Sequence, residues 1–191
     1  MKKIVFTMCL FLLSITMSQA QSFSKETTKE ARKAEKEVRK AKEKLQNEWK
    51  FKEAVQALKD HAFVMEADRV MFRRGRSAFV SSTTNFVSLN DEKATVQVAF
   101  NGANSGPNSL GGVTVDGYAS NIQYAKDKKG NITFSMNVSG VGVSARVVIH
   151  LSKESNQATA EITPNFNSNR ITLSGRLLPI KNSNTFKGMS Y

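Results

Sequence analysis

Between Ala94 and Leu177 apolar and polar residues alternate with a period of two, and this alternation constrains the fold more than any other feature. A period of two places successive side chains on opposite faces of a strand, so each segment has one apolar and one largely polar face. Strands of this kind form antiparallel sheets that bury one face and leave the other in water. The alternating segments lie at 94–100, 132–138, 143–151, 158–162 and 171–177.

Short turn-forming clusters separate these segments. Each of the clusters at 90–93, 127–131 and 153–156 contains Asn, a favoured turn residue. Short connections pair strands that are neighbours in sequence, which predicts an antiparallel meander that closes into a lipocalin-like barrel or folds into a β-sandwich. A change of apolar parity between residues 113 and 124 predicts a bulge near Gly117.

The barrel alternative predicts an apolar interior with room for a cavity of the lipocalin type. The residues expected to line that interior are Phe100, Phe134, Met136, Ile149 and Leu173.

Residues 24–60 are rich in Lys, Glu, Ala and Gln and contain no Gly or Pro, a composition that favours helix. Two apolar stripes run along this segment. The first is a thin seam, and the second is fuller and lies about 120° round the helix from it. The seam consists of Ala31, Ala34, Val38, Ala41 and Leu45, and the second stripe of Phe51, Ala54, Val55 and Leu58. One straight helix cannot bury both stripes against one surface, so we expect a break or kink near Gln46 and Asn47, with the second stripe docked on the sheet.

The start of the chain resembles a secretory signal peptide. A cationic start with Lys2 and Lys3 precedes an apolar run at 4–15, and Ser18 and Ala20 occupy the −3 and −1 positions of a cleavage site. We therefore expect an exported protein, periplasmic or secreted, whose mature chain has no transmembrane segment.

A lipid anchor is not expected, because a lipoprotein needs cysteine at the cleavage point and Gln21 stands there; Cys9, inside the apolar run, is the only cysteine. These features divide the chain into a signal peptide (1–20), a charged helical segment (21–47) and an antiparallel β domain that starts with a docked helix (48–191).

The chain is basic, with a formal net charge of +12 that falls to +10 when Lys2 and Lys3 leave with the signal peptide. A basic surface attracts anions. An exported protein meets anionic lipid, lipopolysaccharide and acidic glycans rather than nucleic acid, so we expect a partner among the former.

The sequence gives little support for catalysis or metal binding, both of which need several reactive side chains close together. The two histidines, His61 and His150, lie far apart and no cysteine accompanies them, so no zinc-type spacing exists. Asp91 and Glu92 fall in a turn, where acidic residues are common for backbone reasons. We therefore expect a non-enzymatic protein with no catalytic residues, no metal site and no cofactor.

Three polar segments are candidates for ligand binding. A cluster of arginines surrounds Gly75, a Gly- and Asn-rich loop spans 101–112, and a second Asn-rich loop spans 165–169. Loops on a rigid scaffold often carry ligand contacts, but Asn also favours turns and exposed arginines are common in solvated hairpins, so both interpretations stay open. The candidate residues are Arg73, Arg74, Arg76, Asn108, Asn165, Asn167 and Asn169.

Several stretches resemble an exported bacterial family, the domain of unknown function DUF4251. They are Glu66–Val70 with Arg73–Gly75, Ser81–Leu89, Gly106–Asn108 with Gly111–Val115, Pro164–Leu173, and Phe186–Gly188. The resemblance implies a signal peptide, a variable helical start and a β domain, and it implies no activity, ligand or catalytic residue.

Two functions fit these observations. The first is a binding module of the cell envelope for a small apolar or anionic ligand. The second is a structural or interaction scaffold that pairs with an envelope protein through the helix at 24–46.

Overall fold

The computed structural model describes residues 2–72, 75–99, 112–141, 143–165 and 170–188, with side chains from residue 30 onward. Within these ranges the chain forms one long helix, a set of antiparallel strands and a short 3-10 helix at Ile180–Asn182. The elements are α1 (Lys2–Lys59), β1 (Ala62–Phe72), β2 (Ser77–Phe79), β3 (Phe86–Asn90), β4 (Lys93–Ala99), β5 (Gly112–Lys126), β6 (Ile132–Gly140), β7 (Ser144–Leu151), β8 (Gln157–Pro164) and β9 (Ile171–Pro179). The chain divides into two compact units, residues 1–45 and residues 46–191.

The strands form a closed antiparallel barrel. From β3 to β9 each strand pairs with its sequence neighbour, and β1 closes the barrel by pairing with β3 on one side and β9 on the other. The short strand β2 is an extra strand that pairs with the second half of β1, along the same edge as β3. The predicted meander and the barrel alternative are confirmed, and the sandwich alternative is wrong.

Apolar side chains from every barrel strand fill the interior. An eight-stranded barrel is just wide enough for side chains to fill it, so large buried residues meet across it. Phe63 and Phe134 meet edge to face with ring centroids 5.2 Å apart. Of the predicted interior residues, Phe134, Met136, Ile149 and Leu173 are fully buried, and Phe100 lies outside the described residues.

Helix α1 is continuous through Gln46 and Asn47, so the predicted break is wrong, while the alternative of a kink stays a prediction. The second stripe is docked as predicted: Ala54 and Leu58 are fully buried, and Phe51 and Val55 pack at the edge of the core. The first seam is exposed, which removes the conflict that the break was meant to resolve. A segment of strong helix formers without Gly or Pro has no reason to stop at Gln46.

The irregularity in β5 lies later than predicted. The pairing of β5 with β6 shifts between Ser120 and Gln123, where Asn121 has a positive φ of 50°, so the bulge is not at Gly117. Gly117 has a different role, because a Cβ atom there would lie 2.0 Å from the carbonyl oxygen of Ser139. The three predicted turns are confirmed, and the first joins β3 to β4 with Asp91 at a positive φ of 55°.

Candidate functional site

The antiparallel order divides the strand connections between the two ends of the barrel. At one end β1 finishes at Phe72 opposite Ile171 of β9, and β8 finishes at Pro164 opposite Ala145 of β7. Gly112 starts β5 at this end, opposite Ala99 of β4. We call this the loop end. The other end, where α1 enters β1, is the helix end.

The described residues on either side of all three predicted binding segments lie at the loop end. The described residues that flank them are Phe72 and Gly75, Ala99 and Gly112, and Asn165 and Arg170. Arg73, Arg74, Asn108, Asn167 and Asn169 themselves lie outside the described residues. Segments separated by up to about ninety residues of sequence are therefore anchored at one end of one barrel, which local pattern alone does not reveal.

Arg76 is exposed beside the turn of the β1–β2 hairpin. Its carbonyl accepts a hydrogen bond of 2.8 Å from the backbone N–H of Phe72, and Gly75 takes the positive φ of 77° that the turn requires. The backbone of Arg76 thus closes the hairpin while its guanidinium lies in solvent, where it can meet an anion.

Asn165 holds two strands together. Its side-chain amide donates a hydrogen bond of 2.8 Å to the hydroxyl of Ser144, and its backbone N–H donates to the Ser144 carbonyl at 2.9 Å. These bonds tie the end of β8 to the start of β7. For this residue the turn interpretation is the stronger of the two.

The core extends to the surface at the loop end. Phe72, Val143 and Ile171 are partly buried and pack against the core, and Val141 beside them is 77% exposed. We call these four residues the apolar rim. Arg170, which directly precedes Ile171, pairs with Glu161 at 2.9 Å. An apolar rim beside cations is suited to a ligand with an apolar part and an anionic group.

Large and small buried side chains occur near both ends of the barrel interior. Near the helix end the buried residues include Phe63, Phe134, Ala94 and Ala158, and near the loop end they include Leu173, Ile162, Val70 and Ala145. The helix end is covered by Leu58 of α1.

A concave surface lies at the helix end. It is a cleft of about 280 Å³ lined by Glu53, Gln56, Ala57, Asp60, Ala62, Pro179, Ile180 and Lys181. The amide of Gln56 donates a hydrogen bond of 2.8 Å to the carboxylate of Asp60, which leaves one wall acidic and polar. No sequence motif marks this cleft.

Gln97 is a buried polar residue that the alternation of β4 assigned to the solvent face. Its side chain is fully buried, and the amide group makes four hydrogen bonds. The amide nitrogen donates to the carbonyls of Thr84 at 3.0 Å and Phe186 at 2.8 Å. The amide oxygen accepts from the Thr114 hydroxyl at 3.1 Å and from the backbone N–H of Gly188 at 2.7 Å.

The segment 183–188, which we call the C-terminal strap, covers the outer face of the barrel around Gln97. Phe186 donates its backbone N–H to the carbonyl of Thr83 at 2.8 Å, and Ser183 donates its hydroxyl to the carboxylate of Glu66 at 2.7 Å. Lys187 forms an ion pair of 2.6 Å with Asp116. The strap covers this part of the outer wall and occupies its polar groups. The loop end is therefore the better candidate for ligand binding.

Asp116 titrates at lower pH than an ordinary aspartate. Partial burial raises its pKa, but hydrogen bonds from Lys187 and Thr95 and the positive charge of Lys187 outweigh burial and hold the pKa below its usual value. The carboxylate is thus ionised, and bound to the strap, at neutral pH.

Over the described ranges no three His, Cys, Asp or Glu side chains lie close enough together to hold a metal ion. In the same part of the chain, no helix combines the length and the apolar character that crossing a membrane requires.

Comparison with known proteins places this closed eight-stranded barrel in a family. The model of the domain of unknown function DUF4251 matches residues 45–177, and the chain belongs to that family. A crystal structure of a DUF4251 family protein from Bacteroides eggerthii DSM 20697 shares 51% sequence identity, with a TM-score of 0.67. The similarity covers 78% of this chain and 99% of that one. A search of the curated proteins found no match.

The family assignment confirms the resemblance drawn from the sequence. Three of the stretches that carried it, Ser81–Leu89, Gly111–Val115 and Phe186–Gly188, contribute partners of Gln97. The resemblance of these three stretches to the family is therefore explained by their shared structural role around Gln97, without a ligand.

Proposed function

We propose that this protein is an exported, non-enzymatic protein of the cell envelope that binds a small amphipathic anion at the loop end of its barrel. The observation that carries the proposal is that the apolar rim and exposed Arg76 lie at the same end of the barrel. The rim would receive the apolar part of the ligand, and the arginines would pair with its anionic group.

Export is part of the same proposal and rests on the leader at 1–20. The envelope offers anionic lipid, lipopolysaccharide and acidic glycans, and each carries the negative charge that the basic chain attracts. The periplasm and the outer surface both supply such ligands, so the proposal covers both locations.

Binding to vesicles tests the site. Replacement of Arg73, Arg74 and Arg76 by Gln should weaken binding to phosphatidylglycerol vesicles by about tenfold or more at low salt, since each charge-assisted contact contributes roughly 1–3 kcal/mol when partly shielded. Binding by the unaltered protein should fall as salt rises. Vesicles of phosphatidylcholine, which carry no net charge, should bind neither protein. Repeating the measurement with lipopolysaccharide in place of the vesicles shows which of the two anions, phospholipid or lipopolysaccharide, the site prefers.

A matched control removes the same charge from the opposite end. Lys126, Lys128 and Lys129 are exposed in the β5–β6 turn at the helix end, and their replacement by Gln should change binding less than about twofold. Equal losses in both triple variants would show attraction to net charge alone, and no loss in the arginine variant would remove the site.

A second role, pairing through the N-terminal helix, is favoured by one specific observation. Large apolar side chains of α1 are exposed there, with Val38 58% and Leu45 66% accessible to solvent. If this role is correct, deletion of residues 21–46 should abolish concentration-dependent association.

A further inference from the structure

We propose that the exposed seam of α1 pairs with the same seam of a second copy of this chain, in an antiparallel orientation. The inference rests on the second role proposed above and adds to it the identity of the partner and the register of the pairing.

The seam has the spacing of a coiled coil. Ala31, Ala34, Val38, Ala41 and Leu45 follow one another at alternating steps of three and four residues, which is the a and d pattern of a heptad repeat. Every residue from 30 to 47 is exposed, so the whole seam is accessible to solvent.

The seam also contains large apolar groups. Val38 and Leu45 are 58% and 66% exposed. Large apolar groups aligned along one face of an exposed helix are typical of a surface that a partner covers.

The charges beside the seam select the orientation. In an antiparallel pair with Val38 opposite Ala41 of the second copy, residues at e positions face e positions, and residues at g positions face g positions. Glu35 then faces Lys42 of the second copy, and Glu37 faces Lys44 of the second copy. The two-fold axis produces each of these attractive pairs twice.

The same register matches side chains by size. Leu45 meets Ala34 of the second copy, and Val38 meets Ala41 of the second copy, so each of these layers combines one larger and one small residue. Such layers allow the two helices to approach closely along the seam.

Other arrangements bring like charges together. In a parallel pair the g position of one helix faces the following e position of the other, so Glu30 faces Glu35 of the second copy, and this repulsion offsets the attraction of Glu37 to Lys42. Moving the antiparallel register by one heptad in either direction places Glu35 opposite Glu35, or Lys42 opposite Lys42. Among these alternatives the register with Val38 opposite Ala41 is the one without a repulsive pair at these positions.

Charge reversal tests the orientation in the purified protein by sedimentation equilibrium. Glu35→Lys should weaken dimerisation about fivefold or more, because both symmetry-related Glu35–Lys42 attractions become repulsions. The double variant Glu35→Lys/Lys42→Glu should restore dimerisation to within about twofold of the unaltered protein. In a parallel pair Glu35→Lys would strengthen association instead, since the introduced lysine would face Glu30 of the second copy, and that result would overturn the inference.

Glu43 supplies a matched control. It lies on the face of the helix opposite the seam and pairs with Arg39 at 3.7 Å. Glu43→Lys removes an exposed charge pair within the helix without touching the seam, so dimerisation should stay within about twofold. An equal loss in Glu43→Lys and Glu35→Lys would assign the effect to helix stability and overturn the inference.

Cysteine cross-linking tests the register. In a Cys9→Ser background, a mixture of the Val38→Cys and Ala41→Cys proteins should form a mixed disulfide on mild oxidation, while each variant alone should cross-link weakly. Strong cross-linking of Val38→Cys with itself would overturn the antiparallel register and leave the pairing role standing.

The hypothesis that the helix pairs with a second copy of this chain can be tested separately from the hypothesis that it pairs with another protein. A purified chain that stays monomeric at high concentration would overturn the inference. If complexes in envelope extracts still disappeared on deletion of residues 21–46, pairing with another protein through the same helix would remain correct.

Discussion

Gln97 illustrates how a single side chain can change the meaning of a strand pattern. Its position between Val96 and Val98 predicts the solvent face of β4, and the side chain does lie on the outer wall of the barrel. The C-terminal strap covers that wall, and all the bonding positions of the amide are occupied by the partners described above. A local period of two cannot report burial by a segment about ninety residues away.

Replacement of Gln97 by Glu should destabilise the protein by roughly 2–4 kcal/mol, because a carboxylate cannot donate to the carbonyls of Thr84 and Phe186 and would be buried beside them. Urea unfolding measures the change. Gln157→Glu is the control, since Gln157 is exposed on β8 and its replacement should change stability by less than about 0.5 kcal/mol. Similar stabilities for the two variants would contradict the role assigned to Gln97.

Asp116 and Lys187 predict a dependence of stability on pH. The pKa of Asp116 is lower in the folded than in the unfolded protein, so its contribution is present above the unfolded value of about 3.9 and is lost as pH falls through the lower folded value. The melting temperature of the unaltered protein should exceed that of Asp116→Asn at about pH 6, and the difference should shrink below about pH 4. A difference that stays constant from about pH 6 to about pH 3 would contradict this assignment.

Among the elements, strands with one buried face show the clearest alternation of apolar and polar residues. β6 and β7 alternate cleanly because only their inner faces are covered. β1 lacks alternation because Phe63, Val64 and Met65 are consecutive and all buried. Closure of the barrel depends on pairing β1 with β9, which lie about a hundred residues apart, and no local pattern reports such a contact.

The helix shows the same limit. Its two apolar stripes were recognised from their spacing, but which stripe is buried depends on the sheet beneath it. The sheet contacts Ala54 and Leu58, whereas Val38 is exposed. Because only the second stripe is buried, one uninterrupted helix can carry both stripes.

The division of the helix predicts that the fold starts near Phe51. A chain of residues 48–191 should unfold cooperatively, with a free energy of unfolding within about 1 kcal/mol of the full protein, because the removed part buries no described side chain. Thermal and urea unfolding provide the measurement. Loss of a cooperative transition would show that residues 30–47 belong to the core after all.

At the scale of the whole molecule, the barrel brings together candidate residues that the sequence presents as separate. Arg76 and Asn165 lie on segments that both belong to the loop end. The sequence identified these segments by their composition, but it could not show that they share one end or that an apolar rim lies between them. The cleft at the helix end left no signal, because its lining comes from α1, the start of β1 and the segment after β9.

Export predicts a defined start for the mature protein. Cleavage after Ala20 should leave Gln21, or its cyclised form, as the first residue, because Ser18 and Ala20 fit the small-residue positions of a signal peptidase site. Intact-mass measurement of protein isolated from the envelope checks this. A chain that retains Met1, or one that carries acyl groups, would contradict the proposal.

The central claim is that the loop end binds the ligand, and backbone amide chemical shifts test it most directly. A titration of isotopically labelled protein with short-chain phosphatidylglycerol, kept below its micelle concentration, follows every assigned amide at once. The largest shifts are predicted at Phe72, Arg76, Val143 and Ile171, with little change at Gln56 and Lys181 in the helix-end cleft. Shifts concentrated in that cleft, or no saturable shifts at the loop end, would contradict the claim.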